Sequence, residues 1–343
     1  MKRRVDKCLV EIFESSTNQQ KMKAVLLTFI LCLVISELYC SLEHEWNQFK
    51  VTYNKKYKTS REEQRRFKAF KKNIREITNH NTRFKKGLET FEKGLTVFAD
   101  LTKNQFDKKY GFNLFKPKTM IVYTSTHRHN KSASTEYFDW REKGAVTPIK
   151  DQGICGSCWI FSAIGMLEGY NLLKTGQLIS LSEQNVVDCF SSSSCKGGFP
   201  VDAIHYVKEN GISTAADYPY RQTQDKCKGN VPRITIDFEG FNTLNVTEDG
   251  LKKLLIKFGP LGISLYVSGV WRLYKRGVWY QKECSDNINH AVILVGYGTE
   301  NGEDYWLIKN SWGKSWGEDG YIKIARNRHE NYCGLTKDVM YIY

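Results

Sequence analysis

The first strong pattern along the chain is a run of nearly unbroken apolar residues at 24–36 (AVLLTFILCLVIS), preceded by Lys21 and Lys23. A membrane-spanning helix needs roughly 20 such residues, so the shorter run with its basic flank predicts the apolar region of a secretory signal. Met22 before Lys23 offers an ordinary start for that signal. Residues 1–40 are therefore expected to be an N-terminal extension plus signal. From 41 to about 110 the pattern changes to helices rich in Lys, Arg and Glu. Within REEQRRFKAFKKNIREITNHN, the residues Glu62, Arg66, Phe70, Asn73, Ile77 and Asn81 recur at steps of 4, 4, 3, 4 and 4. That spacing lines them up on one face of a single long helix. Residues 111–133 lose periodicity and read as an exposed connection open to proteolysis. Further on, CWIFSAIGMLEGYNLLKTG has helical apolar spacing and ends at Gly176, a suitable C-cap. The segments AVILVGYG, DYWLIKN and YIKIA read as strands.

Charge sharpens this division. Residues 1–133 hold 28 Lys and Arg against 13 Asp and Glu, a net +15, whereas residues 134–343 hold 23 against 24, a net −1. The basic character belongs to the N-terminal third, so the C-terminal part lacks the electrostatic footing of a nucleic-acid binder. The imbalance also suggests attraction between a basic leader and the remainder, weakened when carboxylates protonate at acid pH.

Of the ten cysteines, Cys8, Cys32 and Cys40 fall in the leader and signal, which leaves seven. In an oxidising compartment the simplest arithmetic is three disulfides and one free thiol. Cys155 and Cys158 form a C-x-x-C pair, but no second Cys or His pair follows to complete a zinc site. A dithiol redox centre would need a smaller domain without structural disulfides. Cys158 falls at the start of a predicted helix, where backbone N–H groups and the macrodipole favour a thiolate. Asn130 and Asn245 head the two N-x-S/T sequons and are candidate glycosylation sites.

With these residues in view, QGICGSCW resembles the active-site motif of papain-family cysteine peptidases, in particular cathepsin L-like members. The helical face Glu62 to Asn81 resembles the E-R-F-N-I-N signature of that family's inhibitory propeptides. Gly94, Phe98 and Asp100 in GLTVFAD resemble a second propeptide element, with Thr96 where the family has Asn. The resemblance implies a papain-like α+β fold: a helical left domain, a β-barrel-like right domain, and an active-site cleft between them, preceded by a mainly α-helical propeptide. It divides the chain into 41–133, propeptide and activation linker, and 134–343, peptidase domain.

The implied catalytic set is Cys158 as nucleophile, His290 as acid and base, Asn310 orienting the imidazole, and Gln152 in the oxyanion hole. A thiol at its free pKa is only a few per cent thiolate at neutral pH, so the sulfur needs such a partner. Trp312 would shield the His290–Asn310 hydrogen bond. The implied disulfides are Cys155–Cys195, Cys189–Cys227 and Cys284–Cys333. Substrate-binding positions carried over are Gly197, Gly198, Phe199, Pro200 and Trp312. Ser264, Ile288 and Ala291 join Phe199 and Pro200 around the second subsite, with Asp338 as its floor, where a carboxylate would admit Arg beside Phe or Leu. Asn289 stands where Asp is common, and Ile160 where Ala is usual. The expected partners are polypeptide substrates and the chain's own propeptide. No metal, cofactor, nucleic acid or stable membrane span is implied, and the expectation is a monomer in the lysosome or outside the cell. A catalytically silent relative would lack part of the set Gln152, Cys158, His290 and Asn310, and all four are present. A free-standing inhibitor of the propeptide type would lack the last two-thirds of the chain.

Overall fold

The computed structural model describes residues 19–110, 136–191, 194–328 and 332–343. The basic connection at 111–133 and the Asn130 sequon lie outside the described residues. Two compact units meet in sequence between Lys72 and Asn73.

In the first unit, helix α1 (Gln19–Thr52) carries the early apolar run, and helix α2 (Ser60–Lys85) begins. Among the described residues no helix is long and apolar enough to cross a membrane. The start of α2 is capped from both sides: Glu62 N–H donates to Thr59 Oγ1 at 3.1 Å, and Lys58 N–H donates to the Glu62 carboxylate at 3.1 Å. Together these satisfy backbone donors that a helix start leaves free. A small aromatic core forms around Trp46, whose ring lies 5.5 Å from Phe49, 5.6 Å from Tyr57 and 5.1 Å from Phe70. Lys50 closes it with an ion pair to Glu63 at 2.6 Å.

The second unit opens with the rest of α2, strand β1 (Phe91–Lys93) and helix α3 (Lys103–Tyr110). The face predicted from spacing does specific work here. Asn73 donates to the carbonyls of Ala99 and Leu101, both at 2.8 Å, and Asn81 exchanges two bonds with the Lys93 backbone. Thr96, the departure from the propeptide pattern, is buried, donates to the Arg272 carbonyl and accepts from Phe98 N–H at 3.2 Å.

Beyond residue 136 come strand β2 (Phe138–Asp139), helices α4 (Cys158–Thr175), α5 (Glu183–Cys189) and α6 (Pro200–Asn210), and strand β3 (Phe241–Leu244). Helix α7 (Glu248–Phe258) follows, then strands β4 (Leu261–Leu265), β5 (Tyr274–Trp279), β6 (His290–Glu300), β7 (Glu303–Lys309), β8 (Tyr321–Ala325) and β9 (Val339–Ile342). The sheet runs β1-β5-β8-β7-β6-β4-β9-β3, with β2 on β6. One core packs α4, α5 and α6 around Ile164, Leu167, Val187, Ile204 and Val207, and takes Met340 and Ile342 from β9. The other fills the sheet side with Trp271, Trp279, Trp306, Trp312 and Trp316. Ile160 is fully buried in the helical core, so the larger side chain is absorbed as packing.

Helix α4 fixes the site. It ends as its sequence predicts, with Gly176 left-handed at φ 76° and its N–H bonded to Leu172 O. Its middle lies directly on the sheet: a Cβ at Gly165 would fall 1.9 Å from Ile293 Cδ1 of β6. Ser162 Oγ donates to Val292 O at 2.8 Å across the same contact. The close approach brings the first residue of α4 beside the first residues of β6.

Candidate active site

Cys158 is fully buried and is free, in no disulfide. The other six peptidase-region cysteines form Cys155–Cys195, Cys189–Cys227 and Cys284–Cys333, the pairing the resemblance implied. Burial pushes the Cys158 thiol up to about 11, although backbone N–H groups of Ala291, Trp159 and Cys158 itself favour the thiolate. Ala291, whose N–H bonds the sulfur, directly follows His290, which opens β6.

The His290 ring is oriented from behind. Asn310 Oδ1 accepts from Ser311 N–H at 2.8 Å, which identifies that atom as the amide oxygen. His290 Nε2 lies 2.9 Å from the same oxygen and therefore donates to it. In the neutral ring Nδ1 is then an unprotonated lone pair, and it is buried with no hydrogen-bond partner. Burial lowers the His290 pKa to about 4, with the Asn310 bond opposing. Trp312 covers the pair, its ring 5.1 Å from the imidazole.

Gln152 is also fully buried. Its Nε2 donates to Cys155 O at 3.0 Å, its Oε1 accepts from Ser311 Oγ at 2.6 Å, and its N–H donates to Ser311 O at 2.9 Å. Ser311 thus aligns Gln152 and Asn310 together. Its hydroxyl is too common a group for sequence reasoning to have singled it out.

Behind the site is a cavity lined in part by Lys150, Glu168, Glu183, Lys309 and Asn310. Lys150 bridges Glu168 at 2.7 Å and Glu183 at 2.6 Å, and Lys309 donates to Thr147 O at 2.8 Å. Burial lowers Lys309 to about 8, against the attraction of Glu168 and Glu183. On Lys150 the two carboxylates outweigh burial and raise the pKa. Sequence reasoning missed this quartet, for which a visible signal was Glu168 next to the apolar run 164–167 of α4.

The expected subsite residues divide into two groups. Ser264 and Ala291 are paired across β4 and β6, and Ser264 Oγ donates to the Asp338 carboxylate. Asp338 is buried, and burial raises its pKa against that hydrogen bond. Lys337 pairs with Asp286 instead of turning to Asp338. Ile288 lies against Gly334. Gly197, Gly198, Phe199 and Pro200 belong to the helical side: a Cβ at Gly198 would strike the Trp159 indole at 2.6 Å, and Pro200 begins α6. Asn289 is tied to Val267 by both faces of its amide, accepting at 2.7 Å and donating at 2.9 Å. Asn245 is exposed just beyond β3.

Residues 73–110 pack against the peptidase region at Trp312 and along β5. Phe98 and Phe106 meet Trp312 edge-on, with centroids 5.5 Å and 5.3 Å away at 86° and 85°. Strand β1 adds to the sheet beside β5, pairing Phe91 with Gly277 and Glu92 with Arg276. The ion pairs across this contact correct the expectation from net charge. Glu76 meets Arg272 at 2.7 Å, and Glu92 meets Lys275 at 3.0 Å and Arg276 at 2.5 Å. Among the described residues, the carboxylates of these pairs all belong to the basic N-terminal third, and the cations to the peptidase region. Lys93 adds a second cation to Glu76 at 2.8 Å.

Comparison with known proteins agrees with this geometry. Residues 134–343 match the family described as papain family cysteine protease. Residues 46–106 match the cathepsin propeptide inhibitor domain. A cathepsin L-like peptidase of Aedes aegypti is 41% identical over 337 residues, covering 94% of this chain and 99% of that protein. A cathepsin L-like protein of Caenorhabditis elegans is 42% identical over 307 residues, covering 87% and 90%. Among solved structures, digestive procathepsin L 3 of Tenebrio molitor larval midgut superposes with a TM-score of 0.80 at 36% identity, covering 88% of this chain and 98% of that one.

Proposed function

The chain belongs to the papain family of cysteine proteases, as a cathepsin L-like zymogen with its own inhibitory propeptide, and we propose that it is an endopeptidase acting through Cys158. The observation that carries this reading is the partnerless His290 Nδ1, held in one tautomer by Asn310 at the start of the strand whose Ala291 N–H bonds the buried free thiol. Once substrate and solvent reach the site, His290 Nδ1 takes the Cys158 proton and the sulfur attacks the peptide carbonyl carbon. Gln152 Nε2 and the Cys158 N–H donate to the oxygen that becomes negative. The imidazolium then gives its proton to the leaving amine nitrogen, and a thioester remains. Water attacks that acyl-enzyme, its proton goes to His290, and the acid product leaves as the thiol reforms.

The covered state is silent for two reasons. The Phe98 and Phe106 rings meet Trp312 edge-on, and burial favours the protonated thiol and the neutral imidazole over the ion pair. Acid release follows from Glu76 and Glu92. Burial alone would raise both pKa values, but their cationic partners hold them below the ordinary carboxylate range. A depressed carboxylate contributes docking energy above its ordinary pKa and loses it as pH falls through the lowered value. An acidic lysosomal or extracellular compartment, reached through the secretory route, would therefore loosen the cover through these pairs only as its pH falls below the ordinary carboxylate pKa. We place the propeptide and linker at 41–133, the peptidase at 134–343, and a monomer as the working form.

The test is to incubate the purified chain at pH 4.5 with a fluorogenic dipeptide amide, with and without a thiol-alkylating epoxide. Hydrolysis should appear as the propeptide is lost and should be abolished by the epoxide. Hydrolysis indifferent to the epoxide would overturn the reading.

A further inference from the structure

We propose that Tyr220 is a positioning residue that keeps the two oxyanion donors, Gln152 and the Cys158 backbone, in register through its hydroxyl. The inference rests on the peptidase reading above and concerns the same site. The two donors belong to one irregular loop ahead of α4, and their spacing depends on what ties its two ends. Tyr220 OH lies 3.1 Å from Gln152 O and 2.7 Å from Ser157 Oγ. A phenol has one proton and the carbonyl can only accept, so Tyr220 donates to Gln152 and Ser157 donates to Tyr220. A single directed relay therefore joins the residue before Cys158 to the residue that carries the other donor. Ser157 stands at the N-cap of α4 yet makes no side-chain cap bond. Its hydroxyl serves the relay in place of the helix. The Tyr220 ring meets Phe161, one turn into α4, edge-on at 4.9 Å and 84°. The phenol is thus braced by the same helix that presents the thiol.

Tyr220 touches Gln152 and Ser157 rather than the reacting atoms, so its effect passes through the oxyanion hole. Charge on the oxygen develops only in the transition state, and loosening the hole lowers kcat without changing KM. Ser311 and Cys155 still hold the Gln152 side chain, so the loss should be partial. We expect about tenfold, against the hundredfold or more that follows removal of a whole donor.

The experiment compares acid-processed wild type, Tyr220→Phe, Gln152→Ala and the double variant. Tyr220→Phe keeps the ring and removes only the hydroxyl. Its kcat on a dipeptide amide should fall about tenfold with KM within about twofold, while the rate of Cys158 alkylation by iodoacetamide, which forms no oxyanion, stays at the wild-type value. In the Gln152→Ala background the same change should cost less than about threefold, because coupled residues do not add. An unchanged kcat in Tyr220→Phe, or a loss shared equally by alkylation, would overturn the proposal. If Tyr220→Phe does not fold, Ser157→Ala breaks the relay from its other end and should show the same split, and a wild-type kcat there overturns it. A wild type that hydrolyses nothing would instead overturn the peptidase reading.

Discussion

Asp338 tests the account at the scale of one residue. Its carboxylate is buried and accepts a hydrogen bond from Ser264, at the edge where β4 pairs with β6. We propose it as the floor of the second subsite. Asp338→Ala should lower kcat/KM for an Arg-Arg dipeptide amide about tenfold, the loss of one charge-assisted hydrogen bond, and change Phe-Arg less than about twofold. Burial raises this pKa, so the carboxylate is charged above the raised value. Arg acceptance should therefore fade as pH falls through that value, and fade earlier than for a solvated aspartate. An Arg-Arg rate unaffected by the substitution would exclude the carboxylate. Residues of this kind were legible because their chemistry restricts them: a thiol, an imidazole and two amides at fixed separations admit few substitutes. Ser311 and Tyr220 were not legible, since hydroxyls and phenols are frequent and only their partners distinguish them.

Among elements, α4 was legible to its ends, Cys158 and Gly176, because the apolar spacing and the glycine cap are local signals. Its pressure on β6 was not, because that contact joins residues far apart in sequence. Gly165→Ala would bring a methyl within 1.9 Å of Ile293 Cδ1. We expect a destabilisation of about 1–3 kcal/mol, read as a lower Tm, with most of it recovered in Gly165→Ala/Ile293→Val, which removes the struck carbon. Equal Tm values for wild type and Gly165→Ala would contradict the packing argument. The α2–β1 segment carries the second prediction at this scale. Replacing Glu76 and Glu92 by Gln removes the carboxylates that pair with Arg272, Lys275 and Arg276 across the contact (Glu76 being held down first by Lys93 of its own segment), so conversion of the proform at pH 6–7 should quicken and its dependence on pH should flatten. An unchanged pH profile would place the acid trigger elsewhere.

At the scale of the whole molecule, the net +15 of residues 1–133 was legible and its consequence was not. Among the described residues many of those cations, such as Arg61, Arg65, Lys68 and Lys72 on α2, are exposed, whereas docking uses Glu76 and Glu92 against Arg272, Lys275 and Arg276. A total weighs every exposed lysine equally with a carboxylate at a contact, so it gave the polarity in reverse. The fold class survived this because it was implied by the motif resemblance rather than by charge, and the three segments read as strands fall in β6, β7 and β8. The central claim is that one thiol, silent while covered, performs the hydrolysis. Its most direct measurement is intact-mass and peptide mapping of the chain treated with a thiol-directed peptidyl epoxide before and after acid processing, with peptidase activity followed in the same samples. The account predicts no adduct on the unprocessed chain at neutral pH, and one adduct per processed chain, on Cys158, with loss of all hydrolysis. Hydrolysis persisting after Cys158 is fully labelled, or undiminished in a processed Cys158→Ser chain, would contradict it.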